Sequence, residues 1–146
     1  KVMISDFADP KDLAKNVESA RVISKELKMK VKIRPHINED GVKNPEYLID
    51  EKLADLKNIQ GLGGIKHGLD SSKKQQCEYT VFNLSAFDTV EPEMLKNKLN
   101  DIYKLYDEKY AGQRMVFIYK RKAVKVSWQD VVDGKATDLL KELQEQ

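Results

Sequence analysis

Three residues in the first half of the chain have the types and the spacing to do chemistry together: Glu46, Asp55 and Lys57. Two carboxylates can hold Mg²⁺ or Mn²⁺ together with waters and a phosphate, since hard cations take oxygen ligands. A nearby ammonium can position or activate the attacking water and offset the charge that builds on the phosphorus. The three residues therefore predict a metal-dependent site for cleaving phosphodiester bonds, with Glu46 and Asp55 as metal ligands and Lys57 as a catalytic cation.

A β-hairpin is expected to bring these side chains together. Two short runs, 47–49 and 53–56, flank a polar tip, which is typical of antiparallel strands joined by a tight turn. With Glu51 and Lys52 as the loop residues, Ile49 pairs with Ala54. The strand period of two then places a first set of residues on a shared polar face: Glu46, Leu48, Asp55 and Lys57. It places a second set in the core: Tyr47, Ile49, Ala54 and Leu56. Two acids and an ammonium on one face cost stability through desolvation, and binding a cation would offset that cost.

Each polar residue also has an interpretation without chemistry. An acid two residues from a lysine in a hairpin is most often an exposed ion pair worth ~0.2–1 kcal/mol. Asp50 is expected to be a turn residue rather than a ligand. His36 and His67 can act as acid-base groups in a metal-free ribonuclease, because imidazole titrates near neutrality. For both histidines, however, surface exposure is the default expectation.

Lysines and arginines are candidates for contact with a nucleic acid. Charged residues make up 34% of the chain but leave a net charge of only +2, so affinity must come from local clusters. Two clusters are candidates for phosphate contact: Lys66, Lys73 and Lys74 on a predicted helix, and Lys120, Arg121 and Lys122 at a predicted hairpin tip. A solvated helix face explains the first cluster equally well.

The composition indicates one domain. At 146 residues with 40% hydrophobic content, the chain can form one hydrophobic core, and a second core would be too small to stand alone. We therefore expect a single nuclease-like domain over residues 1–146. The chain begins at Lys1 rather than at a methionine, so we also expect a fragment or the C-terminal domain of a larger protein.

Sequence patterns exclude several other classes. No apolar run approaches the ~20 residues of a membrane span, and no signal-peptide pattern opens the chain, which predicts a soluble domain. The single Cys77 cannot form an internal disulfide. The glycines at Gly61, Gly63 and Gly64 are too scattered for a phosphate loop and predict a mobile connection, so no nucleotide cofactor is expected.

The elements that must position these residues follow from periodicity and turn signals. Residues 13–27 carry apolar residues at helical spacing behind Asp9-Pro10, and residues 30–37 alternate as a strand that its proline stops. Beyond a polar loop at Asp40-Gly41 and the first hairpin, we expect these elements: a helix at 65–76, a strand at 79–84, a longer helix from Glu91-Pro92, a hairpin of 113–119 with 123–128, and a C-terminal helix carrying Val132, Leu139, Leu140 and Leu143. The pattern predicts an α+β fold with a three-layer-like core of order helix-strand-strand-strand-helix-strand, followed by a further helix, a β-hairpin and a C-terminal helix.

This order of elements resembles the core of the PD-(D/E)XK nuclease superfamily. The motif is carried by Pro45-Glu46 entering the second strand and Asp55-Leu56-Lys57 in the third, with Glu and Asp exchanged relative to the usual spelling. More narrowly, the segments from Lys43 to Asp50, 55–57 and 65–75 are similar to the C-terminal nuclease domain of contact-dependent growth inhibition toxins. The likeness covers roughly residues 11 to 126.

The resemblance implies more than the residues alone do. It implies that Gln75 helps orient the water or the phosphate, and that an acid on the first helix can take part, for which Glu18 is the available residue. The helical wheel places Glu18 away from the apolar stripe, so solvent exposure is expected. The resemblance also implies RNA, and transfer RNA in particular, as substrate, a cognate immunity protein as partner, and export within a larger protein to act in the cytoplasm of a target cell.

The function predicted is thus a metal-dependent endonuclease, a transfer RNA nuclease toxin, with Mg²⁺ or Mn²⁺ as cofactor. One alternative is a metal-independent ribonuclease of the barnase and colicin-like group, in which His67, Lys57 or Lys66 does general acid-base work. A second alternative is a binding or accessory domain of a phage or mobile-element protein, whose hairpin charges are only solvated. Dependence on metal separates the first two, and loss of cleavage in a folded Asp55→Ala variant separates the first from the third.

Overall fold

The fold is given by a computed structural model that describes residues 1–37 and 44–146. The predicted loop at Asp40-Gly41, together with Lys43, lies outside the described residues. The described ranges contain seven strands and five α-helices: β1 (Val2–Ile4), α1 (Leu13–Leu27), β2 (Val31–Ile33), β3 (Tyr47–Ile49), β4 (Lys52–Asn58), α2 (Gly63–Lys74), β5 (Tyr79–Asn83), α3 (Pro92–Tyr106), β6 (Arg114–Tyr119), β7 (Lys122–Ser127), α4 (Trp128–Val132) and α5 (Ala136–Leu140). Short 3₁₀ turns follow α3 and α5 at Asp107–Tyr110 and Lys141–Gln144. The predicted α+β class is confirmed.

All seven strands lie in one mixed sheet, and their spatial order is the order of the chain from β1 to β7. β2, β3 and β4 pair antiparallel, whereas β4, β5 and β6 pair parallel. β1 is parallel to β2 at one edge, and β7 is antiparallel to β6 at the other. Because β4, β5 and β6 run parallel, their carboxyl ends meet at the same edge, where ligands commonly bind in sheets of this kind.

Helices cover both faces of the sheet and give three layers. α1 packs on one face, where its Ala20 and Ile23 are fully buried against alternate residues of the strands. The helices α2 to α5 pack on the opposite face around Leu69, Leu99 and Trp128. Each fully buried leucine or isoleucine contributes about 1.5–3 kcal/mol relative to an exposed position. No helix within the described ranges is long and apolar enough to span a bilayer.

Three elements differ from the prediction. β1 is not indicated by the sequence pattern, because three residues are too few for alternation to show, and it forms by parallel pairing of Val2 with Val31. β2 ends at Ile33, whereas the prediction extends it to Ile37. The predicted C-terminal helix is two short helices, because Gly134 between them takes a left-handed φ of 73°, which a continuing right-handed helix cannot accommodate.

α2 begins earlier than predicted and includes two glycines that the sequence assigns to a connection. Gly63 and Gly64 form its first turn. A Cβ added at Gly64 would lie 2.6 Å from Cγ2 of the buried Ile59, closer than side chains approach. The glycine therefore serves close packing of α2 against the end of β4.

Candidate active site

The hairpin of β3 and β4 turns at Asp50 and Glu51. Both residues have positive φ, 46° and 68°, as a two-residue hairpin turn requires. Ile49 consequently pairs with Lys52 rather than with Ala54. Asp50 suits the turn because its Oδ1 accepts a hydrogen bond, 2.9 Å long, from the backbone N–H just before β2. The predicted register is wrong by two residues, and the expected turn role of Asp50 is confirmed.

A shift of two residues leaves every side chain of the hairpin on its predicted face, because side chains alternate with a period of two. The residues predicted for the core lie in the cluster beneath α1: Tyr47, Ile49, Ala54 and Leu56. On the opposite face the partners change. Tyr47 pairs with Ala54, so the same register sets Glu46 opposite Asp55, whereas the prediction sets it opposite Lys57.

Glu46 and Asp55 therefore form a pair of acids in contact with each other. Glu46 is half-buried, and its Oε2 accepts the backbone N–H of Leu56 at 2.9 Å. Burial, a hydrogen bond with Asp55 and the charge of Asp55 raise the pKa of Glu46 to about 8, outweighing the opposing effect of the Leu56 N–H. The pair consequently retains a proton near neutral pH. A divalent cation is another group that can relieve its repulsion.

Asp55 is the most deeply buried member of the site, with only 2% of its surface exposed. Three donors meet at its Oδ2, each at 3.2 Å: Lys57 Nζ, Ser71 Oγ and Gln75 Nε2. The Lys57 side chain is 35% exposed, so it reaches the buried carboxylate from the solvent side. The structure thus brings together Glu46, Asp55, Lys57 and Gln75.

A glycine sets the distance between α2 and the strands beneath it. A Cβ added at Gly68 would lie 2.5 Å from Cε1 of the buried Phe82 and 3.2 Å from Cγ of Lys57. A residue without a side chain is therefore needed for α2 to lie this close to β4 and β5. The close approach places Ser71 and Gln75, at the end of the helix, within hydrogen-bond distance of Asp55.

The donors of this site suit a hard cation with open coordination positions. Within residues 1–37 and 44–146 no group of three or more His, Cys, Asp or Glu side chains could hold a metal, so any cation here would have two carboxylates, those of Glu46 and Asp55. Mg²⁺ is commonly held in this way, with waters and substrate phosphates completing its octahedron. The residues present therefore fit the predicted cofactor.

Glu46 lines a cleft of about 290 Å³ that runs between the N-terminal part of α1 and the strands β2 and β3. Lys15, Arg34 and His36 line the same cleft. Nη1 of Arg34 donates to the carbonyl of Pro45 at 2.9 Å, which holds the guanidinium at the strand end that carries Glu46. Cations placed next to a carboxyl pair are what an approaching phosphate requires.

Sequence reasoning missed Arg34 and Lys15. The signal for Arg34 was its alternation with Lys32, which places both on one face of a strand. The sequence does not show which strand pairs with the segment of Arg34. In the structure the backbone N–H of Arg34 donates to the carbonyl of Glu46 at 2.9 Å, and this pairing follows only from the order of the strands in the sheet. Lys15 carries no such signal, because it is one of two exposed lysines on α1 and its neighbour across the cleft is distant in sequence.

The first lysine cluster proposed for phosphate contact is divided in the structure. Nζ of Lys66 lies 2.7 Å from Oδ2 of Asp70, and Nζ of Lys73 donates to the carbonyl of Lys109 at 2.7 Å. Both ammonium groups thus have partners within the protein. Lys74 is exposed at the end of α2.

The second cluster lies at the turn between β6 and β7. Tyr119 pairs with Lys122, so Lys120 and Arg121 form the turn, and both are exposed. Lys122 belongs to β7, where its Nζ lies 3.3 Å from Oε1 of Glu26. Two of the three cations at this tip therefore remain accessible for a phosphate backbone.

The remaining candidates lie at the surface. Glu18 is exposed, as expected, and His36 and His67 are exposed as well. Of these, His36 lines the cleft of Glu46.

The part of the chain that contains the site matches a known protein family. The family described as the contact-dependent growth inhibition CdiA C-terminal domain matches residues 43–124, more than half of the 146 residues. The chain belongs to this family. The matched range contains the four residues of the site, and the resemblance inferred from sequence is confirmed at the level of the CdiA C-terminal domain. Membership of the PD-(D/E)XK superfamily stays a prediction.

A solved structure shares the fold of this CdiA C-terminal domain. It is described as a CdiA-CT/CdiI toxin and immunity complex from Burkholderia pseudomallei. The likeness has a TM-score of 0.56 at 17% sequence identity and covers 86% of this chain and 93% of that chain. At this identity the likeness establishes the fold alone. No curated protein matches the sequence.

Proposed function

We propose that this chain is a metal-dependent endonuclease toxin that cleaves phosphodiester bonds in RNA, with transfer RNA as its substrate. The observation that carries the proposal is the contact between Glu46 and Asp55, half-buried and buried respectively, beside the Lys57 ammonium. A pair of acids taken out of water costs stability. Groups whose pKa values are perturbed in this way concentrate at functional sites.

The roles of the residues follow from their contacts. Glu46 and Asp55 would hold Mg²⁺ or Mn²⁺, and the bound cation would supply Lewis-acid chemistry toward the phosphate and the attacking water. Lys57, with its Nζ at the solvent side of Asp55, positions the attacking water and stabilises negative charge on the phosphorus. Gln75 keeps the Asp55 carboxylate oriented through its hydrogen bond, and Arg34 in the cleft binds the phosphate.

The proposed substrate rests on the resemblance to toxin nuclease domains, and the proposed biological setting is supported by the family and by the similar structure. The Burkholderia complex pairs a toxin with an immunity protein, which supports a cognate immunity protein for this chain. We further propose that the chain is delivered as part of a larger protein and cleaves transfer RNA in the cytoplasm of the target cell.

The test is a cleavage assay with total transfer RNA, single-stranded DNA and duplex DNA, each in Mg²⁺, Mn²⁺ and EDTA. We expect cleavage of transfer RNA with either metal and none in EDTA. Lys57→Ala should reduce the rate by about 100-fold or more, because it removes a cation aimed at the developing charge.

Lys125→Ala is the matched control. Lys125 is an exposed lysine on β7, so this variant removes an equal charge away from the site and should cleave at the parental rate. Equal rates for Lys57→Ala and the parent would contradict the proposed role of Lys57, and absence of cleavage of any nucleic acid would overturn the proposed function.

A second function is favoured by one observation: His36 lines the same cleft as Glu46. A carboxyl group and an imidazole facing one cleft can act as general base and general acid in a metal-independent ribonuclease. Cleavage that persists in EDTA and is lost in His36→Ala would support this mechanism instead.

A further inference from the structure

A second polar pocket adjoins the cleft of the candidate active site. It has a volume of about 300 Å³ and lies at the carboxyl ends of the parallel strands β4, β5 and β6, beside α1. Lys15 and Asn58 line both the pocket and the cleft of Glu46. The two cavities are therefore neighbours along one groove, and a polymer bound with a phosphate at Glu46 would extend toward this pocket.

Three side-chain amides line the pocket, together with one acid, Glu18. Asn58 ends β4, Asn83 ends β5, and Gln60 follows Asn58 by two residues. Val22 and Ile118 add an apolar surface. Amides present both a donor and an acceptor, and a flat apolar wall accepts an aromatic ring. This combination matches the polar edge and the face of a nucleobase.

Hydrogen bonds within the protein hold one amide in a fixed orientation. Oδ1 of Asn83 accepts the N–H of Ser85 at 3.1 Å, and Nδ2 of Asn83 donates to Oδ1 of Asn58 at 2.8 Å. Because Oδ1 of Asn58 already accepts this hydrogen bond from Asn83, Asn58 offers its Nδ2 group to a ligand. Among the described residues the side-chain amide of Gln60 has no hydrogen-bond partner, and both Asn58 and Gln60 are exposed.

Charge at the margins of the pocket suits the sugar-phosphate backbone. Lys15 lies where the pocket meets the cleft, and Lys120 lines the pocket from the turn between β6 and β7.

Asn58 lines the cleft together with Glu46. Because Asn58 is three residues beyond Asp55 on β4, an odd spacing, its side chain lies with Leu56 on the α1 face of the sheet, and Asp55 and Lys57 lie on the other face. The pocket therefore adjoins the site on the side of Glu46.

From these observations we propose that this pocket binds the base of an unpaired RNA nucleotide next to the scissile phosphate, and that Asn58 and Gln60 determine which base is accepted. The inference deepens the proposed function and rests on it. A base can enter a pocket only when it is unstacked and unpaired, so the pocket selects loops and single strands over duplexes. Lys15 and Lys120 hold the flanking phosphates without reading the sequence.

The first test is the sequence profile of cleavage. Randomised single-stranded RNA 12-mers are digested and both products are sequenced. For the parent chain we expect a base preference at one position beside the cut. In Asn58→Ala and in Gln60→Ala that preference should fall about tenfold, which is the worth of a good base contact, while cleavage itself stays metal-dependent. Asn97→Ala, which alters an exposed asparagine on α3, should retain the parental profile.

The second test measures binding without cleavage. With Lys57→Ala as the background, we expect addition of Asn58→Ala to weaken binding of single-stranded RNA 12-mers about tenfold and to leave binding of duplex RNA unchanged. Equal loss for single strands and duplexes, or tighter binding of single-stranded DNA than of RNA, would overturn the base-pocket proposal.

The two proposals fail in different ways. Parental cleavage with an identical profile in Asn58→Ala and Gln60→Ala would overturn the pocket and leave the nuclease standing. Absence of cleavage by the parent would overturn the nuclease, and the binding measurement would then decide the pocket alone: selective loss of single-stranded RNA binding supports it, and unchanged binding refutes it. Circular dichroism and thermal unfolding of each variant verify that the fold is retained.

Discussion

Asp55 on β4 and Asp70 on the neighbouring helix α2 each have a lysine partner, and the balance of charge around the two aspartates differs. Asp70 on α2 receives Lys66 Nζ at 2.7 Å, Lys109 Nζ at 3.3 Å and the hydroxyl of Tyr110 at 2.5 Å. Burial disfavours its charge, but these donors outweigh burial and lower the pKa of Asp70 to about 2. Asp70 is thus a carboxylate whose charge the protein itself satisfies.

The pair at the candidate site lacks that compensation. Asp55 has one lysine partner, Lys57, and a second acid beside it, and burial together with Asp55 raises the pKa of Glu46 to about 8. Two acids and one ammonium are one positive charge short of balance when both carboxyls are ionised. Proximity of Asp and Lys is therefore not by itself a sign of function. The pair of Glu46 and Asp55 differs from Asp70 in having two carboxyl groups for one ion-paired lysine.

The largest difference between the two regions is expected when each aspartate is neutralised in turn. Asp55→Asn should lower cleavage of transfer RNA by about 100- to 1,000-fold, because it removes a metal ligand and the anchor of Lys57. Asp70→Asn should cleave at the parental rate. The measurement is the rate of transfer RNA cleavage in Mg²⁺ at neutral pH. Cleavage by Asp55→Asn at the parental rate would refute the metal site.

The next effect is a dependence of stability on pH that arises from the acid pair between pH 4.5 and about 8. Glu46 has its pKa raised from 4.5 to about 8, so the folded chain binds this proton more tightly than the unfolded chain does. Stability therefore falls as pH rises from 4.5 toward 8 in the absence of metal. Added Mg²⁺ should restore it at pH 8, since a ligand that binds only the folded chain stabilises it.

Thermal unfolding in EDTA and in Mg²⁺ across that range measures this effect. Glu46→Gln is the matched variant, because it keeps the shape of the side chain and removes the titration. It should show a weaker fall with pH and no gain from Mg²⁺. An equal response of the parent and Glu46→Gln to pH and to Mg²⁺ would show that the acid pair is not the source of the pH dependence of stability.

The smallest effect is expected at Asp70. Its side chain is 35% exposed, so solvent screens the cluster, and Asp70→Asn should lower the free energy of unfolding by only about 1 kcal/mol at pH 7. Its pKa is lowered from 3.8 to about 2, so this contribution is present above pH 3.8 and is lost as pH falls toward 2. Urea unfolding at pH 7 and at pH 2 checks both the size and the sign. A difference of the same size at pH 7 and at pH 2 would contradict the assignment.

Prediction from sequence succeeded where the argument depended on periodicity. The faces of the hairpin follow from a period of two, which a register error of two residues does not disturb, so Glu46, Asp55 and Lys57 were grouped correctly. The register itself was missed because Asp50 and Glu51 both take positive φ without the glycine or asparagine that usually signals such a turn.

Contacts between residues distant in sequence were beyond prediction. The Lys66–Asp70 pair follows a helical spacing of four, but Lys109 and Tyr110 reach Asp70 from about 40 residues away, and no local pattern indicates them. The same holds for Arg34, whose place beside Glu46 depends on the pairing of β2 with β3. The amide pocket likewise depends on Asn58 and Asn83 ending neighbouring parallel strands.

The order of the sheet has a consequence for how the chain folds. Each strand pairs with the strand before it in sequence, so the chain can add strands one at a time. The parallel pairs β1–β2, β4–β5 and β5–β6 must close long connections that contain helices, which is slower than closing a hairpin. The hairpins β3–β4 and β6–β7 are the most local of these steps, with only two residues in each turn. We therefore expect a chain that has been unfolded to regain the arrangement of its acid pair early, before the distant contacts of α3 form.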